Sequence, residues 1–195
     1  MSQVTANQVR KVQKYSAVAR GTCSVMLAFL AASFLLVTRL IVTGPHSDAN
    51  RFTIGNHVFS TSDIDSAGIK AGLLVMVGIG VALAGTIIYL LRRIFANMAR
   101  GEIFNAGNVR QIRAIGAVIL AIGILNIVAP VVTAALSARG ILGPSVGPEF
   151  ALRFPDVLAP FAVAGIIYLA SWIMLVGLGV SEEAAELRRD ADLVV

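Results

Sequence analysis

The chain has 195 residues, of which 57% are hydrophobic and only 14% are charged. Soluble domains average roughly 45–50% apolar and about 25% charged residues. Together with a mean hydropathy of +0.83, this composition excludes an ordinary water-soluble domain and indicates a lipid bilayer as the solvent. The formal net charge is +5, but the cations cluster beside apolar runs, which favours anionic lipid headgroups over direct binding of nucleic acid.

The first segment, residues 1–20, is basic and contains no acidic residue. Its cations are Arg10, Lys11, Lys14 and Arg20. Apolar residues recur beside these cations at helical spacing, which predicts an interfacial helix leading into the membrane. Since this polar segment precedes the first apolar run and no small-x-small site closes that run, we do not expect a cleavable signal.

Four apolar runs reach the length of a membrane span, about twenty residues for a hydrocarbon core of ~30 Å. They cover residues 22–42, 71–91, 112–136 and 158–180. A lone strand would leave its backbone groups unpaired in lipid, so each run is predicted to be a helix. The fold class is therefore an all-α membrane protein, a four-helix transmembrane bundle formed by a single domain over residues 1–195.

The distribution of cations predicts how the protein is oriented. Eleven of the sixteen Lys and Arg residues lie in segments 1–20, 92–113 and 181–195. Four lie in the two opposite loops and one, Arg39, lies inside a span. Because Lys and Arg accumulate on the cytoplasmic side of membrane spans, both termini are predicted to be cytoplasmic.

The two outer loops differ in character. In residues 43–70, the alternating stretch Arg51–Ser60 is interrupted by Gly55-Asn56, which predicts a small outer β-hairpin. Asp63, Asp65 and Ser66 follow as candidate N-caps of the second span. Residues 137–157 are rich in Gly and Pro, which predicts an irregular lid with an extended piece at Glu149–Phe154.

Between the second and third spans lies a basic hinge, residues 92–111. The cations of the hinge and the start of the third span are Arg92, Arg93, Arg100, Arg110 and Arg113. Gly101 permits the left-handed turn that ends the second helix, Phe104 can fold back under the bundle, and Asn105 can cap the next helix. The hinge is interpreted either as a structural turn or as a docking surface for a cytoplasmic partner.

After Val180 the chain becomes an acidic tail, residues 181–195, with five anions and two cations. Ser181 is predicted to cap a new helix whose first turn holds Glu182 and Glu183. The tail faces the same compartment as the basic hinge, so contact between them is expected to be weakly favourable.

Three residues stand out as polar candidates within the spans. Arg39 lies near the outer end of the first span, where it can snorkel to the headgroups or pair with Asp63 or Asp65. Asn126 and Pro130 both lie in the third span. Because proline has no N–H, the carbonyl of Asn126, four residues earlier, loses its helical hydrogen-bond partner. The pair is interpreted as a packing kink or as the lining of a small polar site.

The patterns of known active sites are absent from the sequence. No catalytic, cofactor-binding or metal-binding residue is therefore predicted, and the protein is expected not to be an enzyme. His46 and His57 lack a third ligand motif, which disfavours a metal site. The single cysteine, Cys23, lies in an apolar run and excludes an intramolecular disulfide.

Two stretches resemble a known family of bacterial four-span membrane proteins, the domain-of-unknown-function family twenty-nine seventy-five. One is the hinge motif, RGEIFN at 100–105 followed by NVRQIRAIG at 108–116. The other is the ending, EAAEL at 183–187 and DADLVV at 190–195, where alanines and Val194 replace the Gly and Thr usual in the family. The resemblance implies a bacterial inner (cytoplasmic) membrane location, no assigned activity, and a small helix-turn-helix transcription regulator as neighbour or partner.

Two functions follow as hypotheses. The first is a non-enzymatic interaction or regulatory module that presents its basic hinge to a cytoplasmic partner. The alternative is a small channel or transporter subunit for a neutral solute, built around Asn126 and Pro130. Whether the protein forms a homo-oligomer is left open by the sequence.

Overall fold

A computed structural model of the protein describes residues 3–43, 51–54, 57–60, 67–102, 105–138 and 154–193. Most of these residues form four long helices. The helices are α1 (Gln3–Thr43), α2 (Ala67–Ala99), α3 (Ala106–Ala138) and α4 (Phe154–Leu193). Between α1 and α2 lie two short strands, β1 (Arg51–Ile54) and β2 (His57–Ser60).

The two strands are antiparallel, with Arg51 opposite Ser60 and Ile54 opposite His57. The outer β-hairpin stays a prediction, because its turn at Gly55-Asn56 lies outside the described residues. The N-caps proposed for the second span and the extended piece before Phe154 also lie outside them. Phe154 itself is the first residue of α4.

All four helices are long and apolar enough to cross a membrane. The candidate spans are Val12–Thr43, Lys70–Ala99, Ala106–Val132 and Leu158–Val180. At most 17% of the most apolar window of any span is buried inside the protein. Such extensive apolar exposure is not tolerated in water but is the normal state of helices that contact lipid. The four predicted spans are therefore confirmed as helices.

The helices extend well past the predicted spans. With 41 and 40 residues, α1 and α4 are each about 60 Å long, roughly twice the thickness of a hydrocarbon core. The predicted cap at Ser181 is wrong, because α4 continues through it to Leu193. Residues 181–193 are rich in Ala, Glu, Leu and Arg, all strong helix formers, and contain no Gly or Pro to end the helix.

The chain divides into two compact units, and each helix contributes a segment to both. One, here called the terminal unit, comprises Met1–Met26, Thr86–Ile119 and Ala162–Val195. The other, the loop unit, comprises Leu27–Gly85 and Leu120–Phe161. The terminal unit thus holds both chain termini and the connection between α2 and α3.

The two units differ in what they bury. In the described part of the terminal unit, several polar side chains are buried. They are Ser16, Asn97, Asn108, Gln111 and Ser171. The buried side chains in the described part of the loop unit, Ile41 and Leu73, are apolar. Polar chemistry is therefore concentrated in the terminal unit.

Glycines allow α3 and α4 to approach closely. A Cβ atom at Gly116, in the terminal unit, would lie 3.2 Å from the ring of Tyr168 and 3.3 Å from Ile167. In the loop unit, a Cβ at Gly123 would lie 3.1 Å from Pro160 and 3.2 Å from Phe161. Within each unit, α3 and α4 are therefore in direct contact at a glycine of α3.

Candidate functional site

The α2–α3 turn, residues 100–105, begins where Gly101 ends α2. Gly101 has a φ of +88°, a backbone conformation that residues with a Cβ rarely adopt. Its N–H donates to the carbonyl of Met98 at 3.0 Å, and the N–H of Glu102 donates to the carbonyl of Asn97 at 3.1 Å. These two bonds form a Schellman motif and satisfy carbonyls at the helix end. The left-handed turn predicted at Gly101 is confirmed.

Asn105 starts α3 as its N-cap. The side-chain Oδ1 of Asn105 accepts a hydrogen bond from the N–H of Gly107 at 2.9 Å. Its carbonyl accepts from the N–H of Asn108 at 2.9 Å, and its Nδ2 donates to Glu102 Oε2 at 3.2 Å. The cap predicted at Asn105 is confirmed. The predicted contact of Phe104 lies outside the described residues.

Two buried asparagines hold the two helix ends together. Asn97 Nδ2 donates to Asn108 Oδ1 at 2.7 Å, and Asn108 Nδ2 donates to the carbonyl of Glu102 at 2.8 Å. Arg100 Nη2 donates to Asn97 Oδ1. Asn108 is only 1% exposed, so its hydrogen bonds are shielded from water and contribute strongly to the turn's rigidity.

Sequence reasoning missed the role of both asparagines. Asn108 belongs to the hinge motif, and Asn97 lies two residues before the end of α2. The available signal was that both asparagines lie close to a helix end, in a stretch that is otherwise apolar and basic. That signal does not reveal that the two side chains meet, because their contact depends on how the turn folds.

The structure separates the five predicted arginines into two groups. Arg92, Arg93 and Arg110 are exposed, and no ion pair joins any of them to another side chain that the structure describes. Arg100 is exposed as well, although it also donates to Asn97. These four, here called the arginine surface, lie on the last turns of α2, the turn itself and the first turn of α3. The hinge predicted at residues 92–111 thus includes the end of α2 and the start of α3.

Arg113 has a structural role instead. Its side chain is half-buried, and its Nε donates to Ser171 Oγ on α4 at 2.9 Å. Ser171 is fully buried. A charged donor to a buried hydroxyl joins α3 to α4 and leaves Arg113 poorly placed to bind a partner.

The acidic end of α4 belongs to the same unit as the arginine surface. Glu183, Glu186 and Asp190 are exposed. Within the described part of the chain, no ion pair joins them to the arginine surface. The predicted contact between tail and hinge is thus not made by Glu183, Glu186 or Asp190, and for the other acidic residues of the tail it stays a prediction.

The polar candidates in the spans do not form an enclosed site within the described part of one chain. Arg39 is exposed on α1, and its carbonyl accepts a hydrogen bond from Thr43 Oγ1 at 2.8 Å. Asn126 is exposed on α3, and α3 continues past Pro130 to Ala138. The proposed ion-pair partners of Arg39, Asp63 and Asp65, lie outside the described residues, so that pairing stays a prediction.

No group of three metal-ligating side chains occurs among the residues that the structure describes. His46 lies outside these residues. Cys23 is a buried free cysteine, in agreement with its predicted place as a small core residue.

The four long apolar helices define a multi-pass membrane protein. The chain belongs to the family described as "Protein of unknown function (DUF2975)", which matches it over residues 56–195. The matched range includes the turn, the arginine surface and the acidic tail, so the predicted resemblance is confirmed. No curated protein and no solved structure matches the chain.

Proposed function

We propose that the protein is a non-enzymatic interaction module of the bacterial cytoplasmic membrane, and that the arginine surface binds an acidic partner in the cytoplasm. The observation that carries the proposal is the set of four exposed arginines, Arg92, Arg93, Arg100 and Arg110, grouped around one turn. In this proposal the helices form a four-helix bundle, with the β-hairpin on the outer side.

The rigidity of the turn supports the proposal. The Schellman motif, the Asn105 cap and the Asn97–Asn108 bond fix the ends of α2 and α3 relative to each other. The backbone that carries the arginines is therefore ordered before a partner binds, which lowers the entropic cost of association. Arginine is also suited to carboxylates, since its planar guanidinium can donate two parallel hydrogen bonds.

The distribution of charge supports the orientation. Eleven of the sixteen cations lie in the terminal segments and around the turn, and the terminal unit contains all three segments. Cations concentrated on one side of the spans favour the cytoplasm for that side. We therefore place both termini and the arginine surface in the cytoplasm.

The partner is proposed to be a protein with an acidic surface, and the family resemblance makes a small helix-turn-helix regulator the first candidate. Anionic lipid headgroups compete for the same arginines, because they present the same negative charge. Direct binding of nucleic acid is not proposed.

The test compares two sets of substitutions in native membranes. One set replaces all four arginines of the arginine surface with glutamine. The matched control replaces the four cations at the start of α1, in the same unit, with glutamine. They are Arg10, Lys11, Lys14 and Arg20. After crosslinking and mass spectrometry, we expect cytoplasmic proteins to be lost only from the first set.

Unchanged crosslinked partners in the arginine variant would contradict the proposal. Equal loss from both sets would show that total charge matters and not the arginine surface. The purified protein could instead bind vesicles of anionic phospholipid through the arginine surface while no protein partner is recovered. That result would show that the arginines bind lipid headgroups and not a protein.

A second candidate function is a channel or transporter subunit for a neutral solute. It is favoured by one observation, an exposed amide at Asn126 on an otherwise apolar helix. A pore would then form between copies of the chain. Solute flux into liposomes that is lost in Asn126→Leu would support this candidate, and absence of flux for a series of neutral solutes would count against it.

A further inference from the structure

Helix α4 carries an apolar stripe with a seven-residue repeat, which we call the α4 seam. Large and small residues alternate along it, four and three residues apart. The large ones are Ile166, Ile173, Val180 and Leu187, and the small ones are Ala170, Gly177, Ala184 and Ala191. Past Val180, where most other residues of α4 are charged or polar, an apolar repeat averaging about 3.5 residues is the signature of helices that pair in a left-handed coiled coil.

The protomer does not use this stripe. Ala164 and Ser171, the buried residues of α4, are 1% and 0% exposed. On a helix with 3.6 residues per turn, Ile173 lies on the opposite side from Ser171. Ile173 is 73% exposed and Leu187 is 71% exposed, so the described part of the chain does not cover these positions of the α4 seam.

Lipid alone does not account for the whole stripe. Arg113 bonds to Ser171, and Gly116 approaches Tyr168, so the two antiparallel helices share one register. Val180 lies nine residues past Ser171, about 13 Å further along the axis at 1.5 Å per residue. Val180 is the last residue of the candidate span of α4, whereas Leu187 lies beyond that span, among the acidic residues of the tail.

We infer that a second copy of this chain covers the α4 seam, pairing with it as a parallel two-stranded coiled coil. Two copies inserted in the same orientation bring α4 against α4 in parallel around a two-fold axis. Layers of large residues then alternate with layers of small residues along the pair, and the small layers permit close approach.

The charges that flank the α4 seam also support pairing with a second copy of this chain. In a parallel coiled coil, a residue flanking the seam contacts the flanking residue five positions later on the other helix. By sequence position, Glu183 is thereby matched with Arg188 of the second copy, and the two-fold axis repeats the pair. A like-charged match would have opposed pairing, whereas this one favours it.

Disulfide crosslinking in native membranes tests the pairing. In a Cys23→Ala background, Val180→Cys and Leu187→Cys place single thiols on the α4 seam. Leu175→Cys and Glu186→Cys are matched controls, since both residues are exposed but lie on other faces. We expect several-fold more disulfide-linked dimer from the seam positions under a mild oxidant. Equal yields from both faces, or no dimer from either, would overturn the inference.

Two further measurements change the α4 seam itself or the charges beside it. Gly177 and Gly179 both have open space around a built Cβ, so the protomer accommodates leucine at either position. Gly177→Leu is expected to reduce chemical crosslinking to a dimer several-fold because it fills a small position of the seam, and Gly179→Leu is not. Equal effects would contradict the seam.

Charge reversal gives the second measurement. Glu183→Arg alone is expected to lower the yield of the Leu187→Cys dimer by about threefold, in keeping with the small energies of exposed ion pairs. Adding Arg188→Glu should restore it. Failure of the double variant to recover would rule out the proposed match. None of these results depends on the arginine surface, so this inference and the proposed function can fail separately.

Discussion

At the scale of single residues, Asn108 of α3 is the most buried polar side chain beside the α2–α3 turn. It is almost fully buried, accepts a hydrogen bond from Asn97 and donates one to the carbonyl of Glu102. Replacing it with an apolar residue of similar size leaves the buried amide of Asn97 without this hydrogen bond. The cost of such unsatisfied groups exceeds the value of the bond itself.

We therefore expect Asn108→Leu to lower the free energy of unfolding by about 1–3 kcal/mol. Thermal unfolding of the purified protein in detergent measures the change. Asn126→Leu is the matched control, because Asn126 is exposed on the same helix and exposed substitutions usually stay within roughly 0.5 kcal/mol. Equal melting temperatures for the two variants would contradict the assigned role of Asn108.

Gly101 provides a second prediction at this scale. A Cβ at Gly101 meets only Gln13, at an ordinary 3.5 Å, so the cost of alanine comes from the positive φ and not from a clash. Gly101→Ala should destabilise the protein by about 1–2 kcal/mol. The same substitution at Gly78, which is helical and open, should stabilise it by about 0.5–1 kcal/mol. Opposite signs in the same melting experiment are the expected outcome.

At the scale of helices, α3 and α4 are joined by polar and apolar contacts. Arg113 donates to Ser171 in the terminal unit, and in the loop unit Gly123 lies against Pro160 and Phe161. The polar bond specifies which helix faces meet, while the glycine contact sets how closely the helices approach.

Gly123→Leu is expected to overfill the contact with Pro160 and Phe161. The cost should be about 1–3 kcal/mol, the range typical of overpacked interiors. Gly80→Leu is the control, since nothing lies within 4 Å of a Cβ there. Should both variants unfold at the same temperature, the close approach of α3 and α4 at Gly123 would be disproved.

The elements that could be predicted from sequence are those controlled by local chemistry. The spans follow from apolar length, the end of α2 from Gly101, and the start of α3 from Asn105. The prediction that Ser181 caps a new helix was wrong. An N-cap requires the preceding helix to end before it, but strong helix formers follow Ser181 and α4 continues through it. The Asn97–Asn108 and Arg113–Ser171 bonds could not be predicted, since each depends on packing between helices.

At the scale of the whole molecule, the role proposed for the arginine surface depends on the proposed orientation of the protein in the membrane. A phosphatase reporter that is active only outside the cytoplasm should be inactive when fused after Val195. A fluorescent reporter that folds only in the cytoplasm should be bright at the same position. The opposite pair of results would place the termini and the arginine surface outside the cell and contradict the proposed function.

The candidate site was partly predictable at this scale. Arginines clustered between two spans are enough, as a sequence pattern, to identify a basic surface. The sequence does not distinguish the four exposed arginines from Arg113, because that difference arises from the neighbouring helix. Nor does it reveal that the acidic tail is part of a continuous α4.

The exposed side chain of Leu187 has a consequence for the surrounding bilayer. Because the candidate span of α4 ends at Val180, an isolated copy holds Leu187, which is 71% exposed, beyond the hydrocarbon core. Lipids there must stretch or the helix must tilt, at a cost of fractions of a kcal/mol per Å of mismatch. Thin membranes should therefore drive copies of the protein together, while long acyl chains should disperse them.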